Sequence, residues 1–278
     1  MSLLGVFFGL ASAVSWGTGD FSGGLAAKRA NVYAVVISSQ SVGLVMLVGL
    51  ALLLAEPVPP TVDILWAAGA GLVGSLALSA LYRGLATGRM GVVAPVSAVV
   101  SAAVPVLFGL FVEGLPGMLQ LLGFAVALVA VWFVSRTDGP GHAHAQELGL
   151  ALLAGLGLGL FLIIIGRLSS NTVLWPLVTA RAAGISFLSL TALLLQQTPL
   201  PASRQMPLIA VVGLCDAGGN AFYALAARAG RLDVAAVLSS LYPAVTVLLA
   251  RSVLGERLAR HQWLGVAGAL LAVVLIAA

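Results

Sequence analysis

Residues 147–166 read Glu147-Leu148-Gly149-Leu150-Ala151-Leu152-Leu153-Ala154-Gly155-Leu156-Gly157-Leu158-Gly159-Leu160-Phe161-Leu162-Ile163-Ile164-Ile165-Gly166, with no charge between Glu147 and Arg167. About 20 predominantly apolar residues cross a bilayer as a helix, and this run has that length. A membrane β-strand would alternate apolar and polar residues over about ten positions, and the run is continuously apolar. It therefore reads as a transmembrane helix, the structure that satisfies its own backbone in lipid.

The rest of the chain repeats this pattern. Similar runs lie near 3–25, 32–55, 62–85, 91–112, 117–136, 172–195, 206–228, 232–253 and 260–278. They are separated by Lys28-Arg29, by Glu56-Pro57 through Pro60, by Glu113 to Pro116, by Gly139-Pro140-Gly141 and by Gly255-Glu256-Arg257. Of 278 residues, 61% are hydrophobic and only 8% charged, and the mean hydropathy is +1.13. Soluble domains carry about 25% charged residues, so ten spans of a polytopic membrane protein are expected. The polar interruption from Arg136 to Glu147 is too short for a soluble domain of about 50 residues, so function must reside within the membrane part.

The remaining composition excludes further classes. Net charge is +4, yet the Arg residues sit mostly at span ends, which fits membrane orientation rather than nucleic-acid binding. Cys215, the one cysteine, has no partner for an intrachain disulfide. Ala11-Ser12-Ala13 resembles a signal-peptidase site, but no Lys or Arg precedes the apolar run, which continues past it. An uncleaved first helix is expected. No cofactor is implied: Gly155, Gly157 and Gly159 lack the dinucleotide spacing and follow no strand, and Lys28 lies in no phosphate-binding loop. His142 and His144 lack a third ligand, and no metal is expected.

Sliding the second half over the first exposes an internal repeat at an offset of 140 to 142. Gly9-Leu10-Ala11 lies over Gly149-Leu150-Ala151, and Gly17 and Gly19 lie over Gly157 and Gly159. Phe21 falls on Phe161, Gly43 on Gly184, Tyr82 on Tyr223, Gly88-Arg89 on Gly230-Arg231, and Gln120 to Gly123 on Gln262 to Gly265. Five spans per repeat is an odd number, so the halves, 1–140 and 141–278, enter the membrane in opposite directions. Such halves can exchange conformations and open a central site alternately to each side.

Trp16-Gly17-Thr18-Gly19-Asp20-Phe21, the stretch from Tyr223 through Ala235-Ala236, Ser239 to Pro243, Gly255-Glu256-Arg257 and Gln262-Trp263-Leu264-Gly265 resemble the EamA-type members of the drug/metabolite transporter superfamily. The resemblance implies an all-α integral membrane protein of ten transmembrane helices in two inverted five-helix repeats. It also implies carriage of small metabolites such as amino acids, often outward, across the cell membrane. The first repeat departs from the pattern: Ser101 stands in the place of Pro243, and Glu113-Gly114 reverses Gly255-Glu256.

Ionisable groups at membrane depth need a partner or a wet cavity. Asp20, Arg181 and Asp216 fall inside spans. Asp216, Asn220 and Tyr223, at i, i+4 and i+7, share one face, and Ser75, Ser79 and Tyr82 are their repeat equivalents. These stripes line a cavity or only bond packed helices together. Trp16 and Asp20 project from one side of the first span, where an aromatic face and a carboxylate can hold an organic cation or an ammonium. The alternative for Asp20 is a salt bridge with Lys28 or Arg29. Arg181, aligned with Gln40, is a charge partner for Asp20 or Asp216, or reaches a substrate carboxylate. Asp20 and Asp216 are candidate proton sites. Ser239 and Tyr242 extend the candidate substrate site, with Thr246 on the same stripe, and Pro95, Pro105 and Pro243 are candidate kinks or gates.

The leading expectation is a secondary carrier. A channel or facilitative uniporter is the runner-up, and a membrane-embedded enzyme, which lacks a nucleophile or metal set here, comes third. The expected partners are a small-molecule substrate and the lipid bilayer, with homodimerisation open and no nucleic acid. Both termini lie on one side. Nine Lys and Arg residues on the other side against three on the terminal side favour outside termini, whereas the resemblance implies cytoplasmic ones.

Overall fold

The computed structural model describes residues 3–87, 90–112, 114–135, 145–168, 172–197, 201, 203–254 and 259–277. Gly88-Arg89, Glu113, Arg136, the Gly139-Pro140-Gly141 hinge, His142, His144 and Gly255-Glu256-Arg257 lie outside the described residues.

The first repeat folds as α1 Leu3–Ala27, α2 Val32–Leu53, α3 Thr61–Thr87, α4 Met90–Val112 and α5 Met118–Ser135. The second folds as α6 Ala145–Arg167, α7 Leu174–Leu194, α8 Met206–Ala229, α9 Leu232–Ser239, α10 Tyr242–Leu254 and α11 Arg260–Ala277. The helix ends follow local chemistry. Asn31 caps α2 by accepting the Tyr33 N–H at 2.9 Å. Pro57, Pro59 and Pro60 keep the chain extended between α2 and α3.

The ninth span was expected to run unbroken over 232–253, but it is two helices. Pro243 has no N–H to offer the Ser239 carbonyl four residues earlier. Ser240 Oγ also donates to the Val237 carbonyl at 2.7 Å, competing for the same turn. In the first repeat α4 is continuous: the contacts of Gly17 and Gly159 pair Ser101 with Tyr242, so Ala102 rather than Ser101 stands in the place of Pro243 and keeps its backbone N–H.

Among the described residues, five helical stretches are long and apolar enough to cross a membrane: Val32–Leu53, Thr61–Gly84, Leu148–Arg167, Leu174–Leu194 and Ser203–Ala229. Val96–Val112, Met118–Phe133 and Leu232–Thr246 are shorter apolar stretches. α1, which carries Thr18, Asp20 and Ser22, is not among these stretches. Large apolar side chains such as Phe7, Val45, Trp66, Phe111 and Val274 face outward, whereas the interior is built largely of Ala, Gly and Val. That distribution suits lipid, in which helix association depends on close packing of small residues rather than on hiding Leu and Phe. The fold is thus a ten-span helical bundle of two inverted five-helix repeats.

The principal helix contacts run between the repeats and reproduce themselves when the halves are exchanged. α1 packs on α8 as α6 packs on α3; α4 packs on α6 as α9 and α10 pack on α1; α3 packs on α7 as α8 packs on α2. The α2–α7 and α5–α11 pairs map onto themselves. Glycines set two equivalent crossings. A methyl on Gly71 would stand 1.9 Å from the Ala180 carbonyl oxygen, and one on Gly213 would stand 2.2 Å from that of Ser39.

Candidate functional site: a cavity with one charged wall

The helices enclose a cavity of about 90 Å³, room for several water molecules. Contacts at its rim fix the register of the repeat more closely than sequence could. A methyl on Gly17 would meet the Tyr242 carbonyl oxygen and Val245 Cβ, each at 2.6 Å. One on Gly159 would meet the Ser101 carbonyl oxygen at 3.1 Å and Val104 Cβ at 2.7 Å. Gly17 is therefore equivalent to Gly159 rather than to Gly157, and the offset in this helix pair is 142. The alternation of Gly155, Gly157 and Gly159 left that register undetermined in the sequence.

With the corrected register, the cavity lining consists largely of equivalent pairs: Trp16 with Leu158, Asp20 with Leu162, Gln40 with Arg181, Ser75 with Asp216, and Ser101 with Tyr242. The cavity thus lies where the two repeats meet. Leu78, Leu81 and Phe161 add to an apolar wall from α3 and α6. Phe161 fits because Gly74 opposes it: a methyl there would stand 2.9 Å from its ring.

The charged wall is built from α1, α2, α7 and α8. Arg181 is only 4% exposed; its Nη2 pairs with Asp216 Oδ2 at 2.6 Å, and its Nη1 donates to Gln40 Oε1 at 2.9 Å. Gly43 supplies the room, since a methyl there would stand 2.8 Å from Arg181 Nη1. The Arg181 Nε is buried with no hydrogen-bond partner among the described residues. Asp216 is the carboxylate that Arg181 faces, which the sequence left open. Asp20 lines the cavity and has neither a hydrogen bond nor an ion pair among the described residues, so no bridge to Lys28 or Arg29 occupies it. Two carboxylates and one guanidinium give the cavity a formal charge of −1.

Trp16 stands over this group, stacked on Tyr223 at 6.0 Å between ring centroids and edge-on to Tyr242 at 6.4 Å. Gly219 leaves space for the indole, because a methyl there would stand 2.4 Å from Trp16 Cδ1. Asn220 lines the same wall, and its amide has no protein partner among the described residues.

The structure therefore brings Trp16, Asp20, Ser75, Arg181, Asp216, Asn220 and Tyr242 together around one cavity. Ser79, Tyr82, Tyr223 and Ser239 are placed outside its lining. Ser79 Oγ donates to the Ser75 carbonyl at 2.8 Å within its own helix. Tyr82 is buried with its hydroxyl against Gly23. Tyr223 donates to the Leu162 carbonyl at 3.0 Å and stacks on Trp16, both of which line the cavity. Ser239 Oγ reaches the Gly9 carbonyl at 3.4 Å. Thr246 donates to the Gly17 carbonyl at 3.0 Å, tying α10 to α1. Pro105 and Pro243 are buried beyond the lining, and Pro95 lies in α4.

The apolar wall was not anticipated, because Leu and Phe in a membrane helix look the same whether they face lipid or a cavity. The one available signal was Phe161 opposite Gly74. Among the described residues no group of His, Cys, Asp or Glu is arranged to hold a metal.

The model of the EamA-like transporter family matches residues 3–136 and again residues 146–278. The chain belongs to this family of membrane transporters of the drug/metabolite type. Among curated proteins none matches. A solved structure described only as "Crystal structure of protein" is similar in fold, with a TM-score of 0.80 at 14% identity, covering 98% of this chain and 95% of that one.

Proposed function

We propose that the protein is a secondary transporter that moves small metabolites bearing a cationic group, amino acids or related amines, by alternating access through the central cavity. The single observation that carries this reading is the carboxyl of Asp20. It lines the cavity together with Trp16 and Tyr242 and has no protein donor on its oxygens among the described residues. A buried charge without a partner is costly, and an ammonium or a proton relieves that cost. Asp216, by contrast, is already held by Arg181. The aromatic faces add cation–π attraction, and the apolar wall of Leu78, Leu158, Phe161 and Leu162 accommodates a hydrocarbon body.

Family membership supports export as the net direction and a multi-pass position in the cell membrane with cytoplasmic termini; accessibility of terminal tags tests the sidedness. The functional reading is tested by thermal stabilisation of the purified protein across amino acids, amines, sugars and nucleotides, followed by counterflow in proteoliposomes. Stabilisation by amines or amino acids and saturable counterflow are expected. Unitary currents would establish a channel instead, and a chemically altered solute would establish an enzyme.

A further inference from the structure

α2 and α7 lie antiparallel along one side of the cavity and are bonded at three levels. The middle level is the Gln40–Arg181 hydrogen bond already described. The two ends are built by the same local device.

At the end of α2 the Leu54 N–H donates to the Leu50 carbonyl, Ala55 turns left-handed at φ 48°, and the Glu56 N–H donates to the Ala51 carbonyl. At the end of α7 the Leu195 N–H donates to the Thr191 carbonyl, Gln196 turns left-handed at φ 52°, and the Gln197 N–H donates to the Ala192 carbonyl. Neither turning residue is Gly or Asn, the types that adopt this conformation at least cost. Each turn aims the next side chain at the first turn of the other helix. These are the two non-glycine positive-φ residues among those described.

What each turn delivers differs. The Glu56 carboxylate accepts the Val173 N–H at 2.7 Å, the Leu174 N–H at 2.9 Å and the Trp175 N–H at 3.0 Å, and Trp175 Nε1 donates back to the Glu56 carbonyl at 2.8 Å. An anion thereby closes the free donors and the positive end of α7. Arg228 and Asp63 supply the neighbouring charges, and Arg228 Nη2 donates to the Thr172 carbonyl. At the other end Gln197 Oε1 accepts a single hydrogen bond, from Asn31 Nδ2 at 2.6 Å, in an exposed position.

We propose that these contacts are a pair of clasps, one at each membrane face, that open in turn as the cavity changes sides, and that the Glu56 clasp is the stronger. Span order puts Glu56, after the second crossing, on the side of the termini, and Gln197, after the seventh, on the opposite side. At rest the transporter is therefore biased toward opening at the Gln197 face. The inference rests on the alternating-access reading given above, because clasps at opposite faces act in turn only if the cavity does.

The test uses the full chain with Cys215→Ser and a reporter thiol introduced by Leu78→Cys on the cavity wall. A membrane-impermeant maleimide is applied to right-side-out and inside-out vesicles, and a terminal tag identifies the terminal side. Labelling is expected to be faster from the Gln197 side. Glu56→Gln should raise labelling from the terminal side about tenfold, as charge-assisted bonds become neutral ones, and lower it from the other. Gln197→Glu leaves Glu56 intact and should also shift labelling toward the terminal side, because a carboxylate holds Asn31 more tightly. It keeps the proposal testable if Glu56→Gln does not fold. Reagent that reaches the thiol from both sides, with no shift toward the terminal side in either variant, overturns the clasps and leaves alternating access standing. A thiol that no side ever reaches overturns both.

Discussion

Equivalent helices of the two repeats meet the same cavity with opposite chemistry, so that each wall draws on both repeats. Where α1 presents Trp16 and Asp20, α6 presents Leu158 and Leu162; where α8 presents Asp216, α3 presents Ser75; where α7 presents Arg181, α2 presents Gln40. The backbone crossings are nevertheless matched, down to Gly71 against α7 and Gly213 against α2. Under the proposed alternating access, symmetry belongs to the parts that would move, since two equivalent packings can exchange roles. Recognition would not share it, because the proposed substrate, with a charged end and an apolar body, needs two different walls.

Removing the one cation should break this comparison most severely. Arg181→Met leaves the half-buried Asp216 without its partner and Gln40 without its donor. Loss of one member of a fully buried pair costs about 3–5 kcal/mol, and the exposure of Asp216 to the cavity puts this pair at or below the lower end. A large drop in the thermal midpoint of the solubilised protein, or loss of folded material, is expected. Adding Asp216→Asn should restore much of the loss; an additive penalty in the double variant would show that the pair is not coupled. Gln40→Leu should do less, because Asp216 still holds the guanidinium.

Asp20→Asn separates recognition from stability. No protein donor is lost when this carboxylate is neutralised, so the melting midpoint should stay near that of the parent chain. Affinity for amines and amino acids should fall by about tenfold or more, the scale of a charge-assisted contact of about 1.5–3 kcal/mol. Unchanged affinity by scintillation proximity would remove Asp20 from the site.

The glycine pair Gly43 and Gly184 sharpens the contrast between walls. A methyl on Gly43 meets Arg181 Nη1 and the Gly213 carbonyl oxygen, both at 2.8 Å, whereas one on Gly184 meets the Gly71 carbonyl oxygen at 3.0 Å and Ser75 Cβ at 3.1 Å. Overpacking costs about 1–3 kcal/mol, and Gly43→Ala should fall in the upper part of that range because it also displaces the guanidinium. Gly184→Ala should cost less. The reverse order in thermal melts would mean that the neutral wall is the tighter one.

Much of this was legible in the residues themselves. The apolar runs and the odd number of spans per repeat gave the inverted bundle, and the rule that membrane charges need partners singled out Asp20, Arg181 and Asp216. Register was harder. A Gly-x-Gly-x-Gly track matches itself at two shifts, so only the contacts of Gly17 and Gly159 chose between them. The pairing of Arg181 with Asp216, rather than with Asp20, depends on how α7 meets α8, which no spacing within one helix encodes. The ninth span breaks before Pro243, where the Ser240 hydroxyl also donates to the Val237 carbonyl, a contact that no spacing announces. Helical spacing put Ser79 and Tyr223 on the cavity stripe, but a stripe is wider than a cavity, and their hydroxyls found backbone carbonyls first.

The smallest expected effect lies in the last equivalent pair, Ser79 and Asn220. They occupy matching positions on α3 and α8, yet only Asn220 reaches the cavity, with its amide unoccupied by protein. The Ser79 hydroxyl already donates to the Ser75 carbonyl of its own helix, a bond whose net worth is about 0.5–1.5 kcal/mol and whose acceptor keeps its helical donor. Ser79→Ala should therefore leave substrate affinity unchanged and stability nearly so. Asn220→Ala removes a donor and an acceptor that a bound solute would use, and should weaken binding several-fold, about 1 kcal/mol for one neutral hydrogen bond. Equal losses in the two variants would place Ser79 back on the wall and make the site more symmetric than its charges imply. A loss confined to Asn220→Ala assigns polar recognition to the second repeat's α8, beside the aromatic and carboxylate pair of α1.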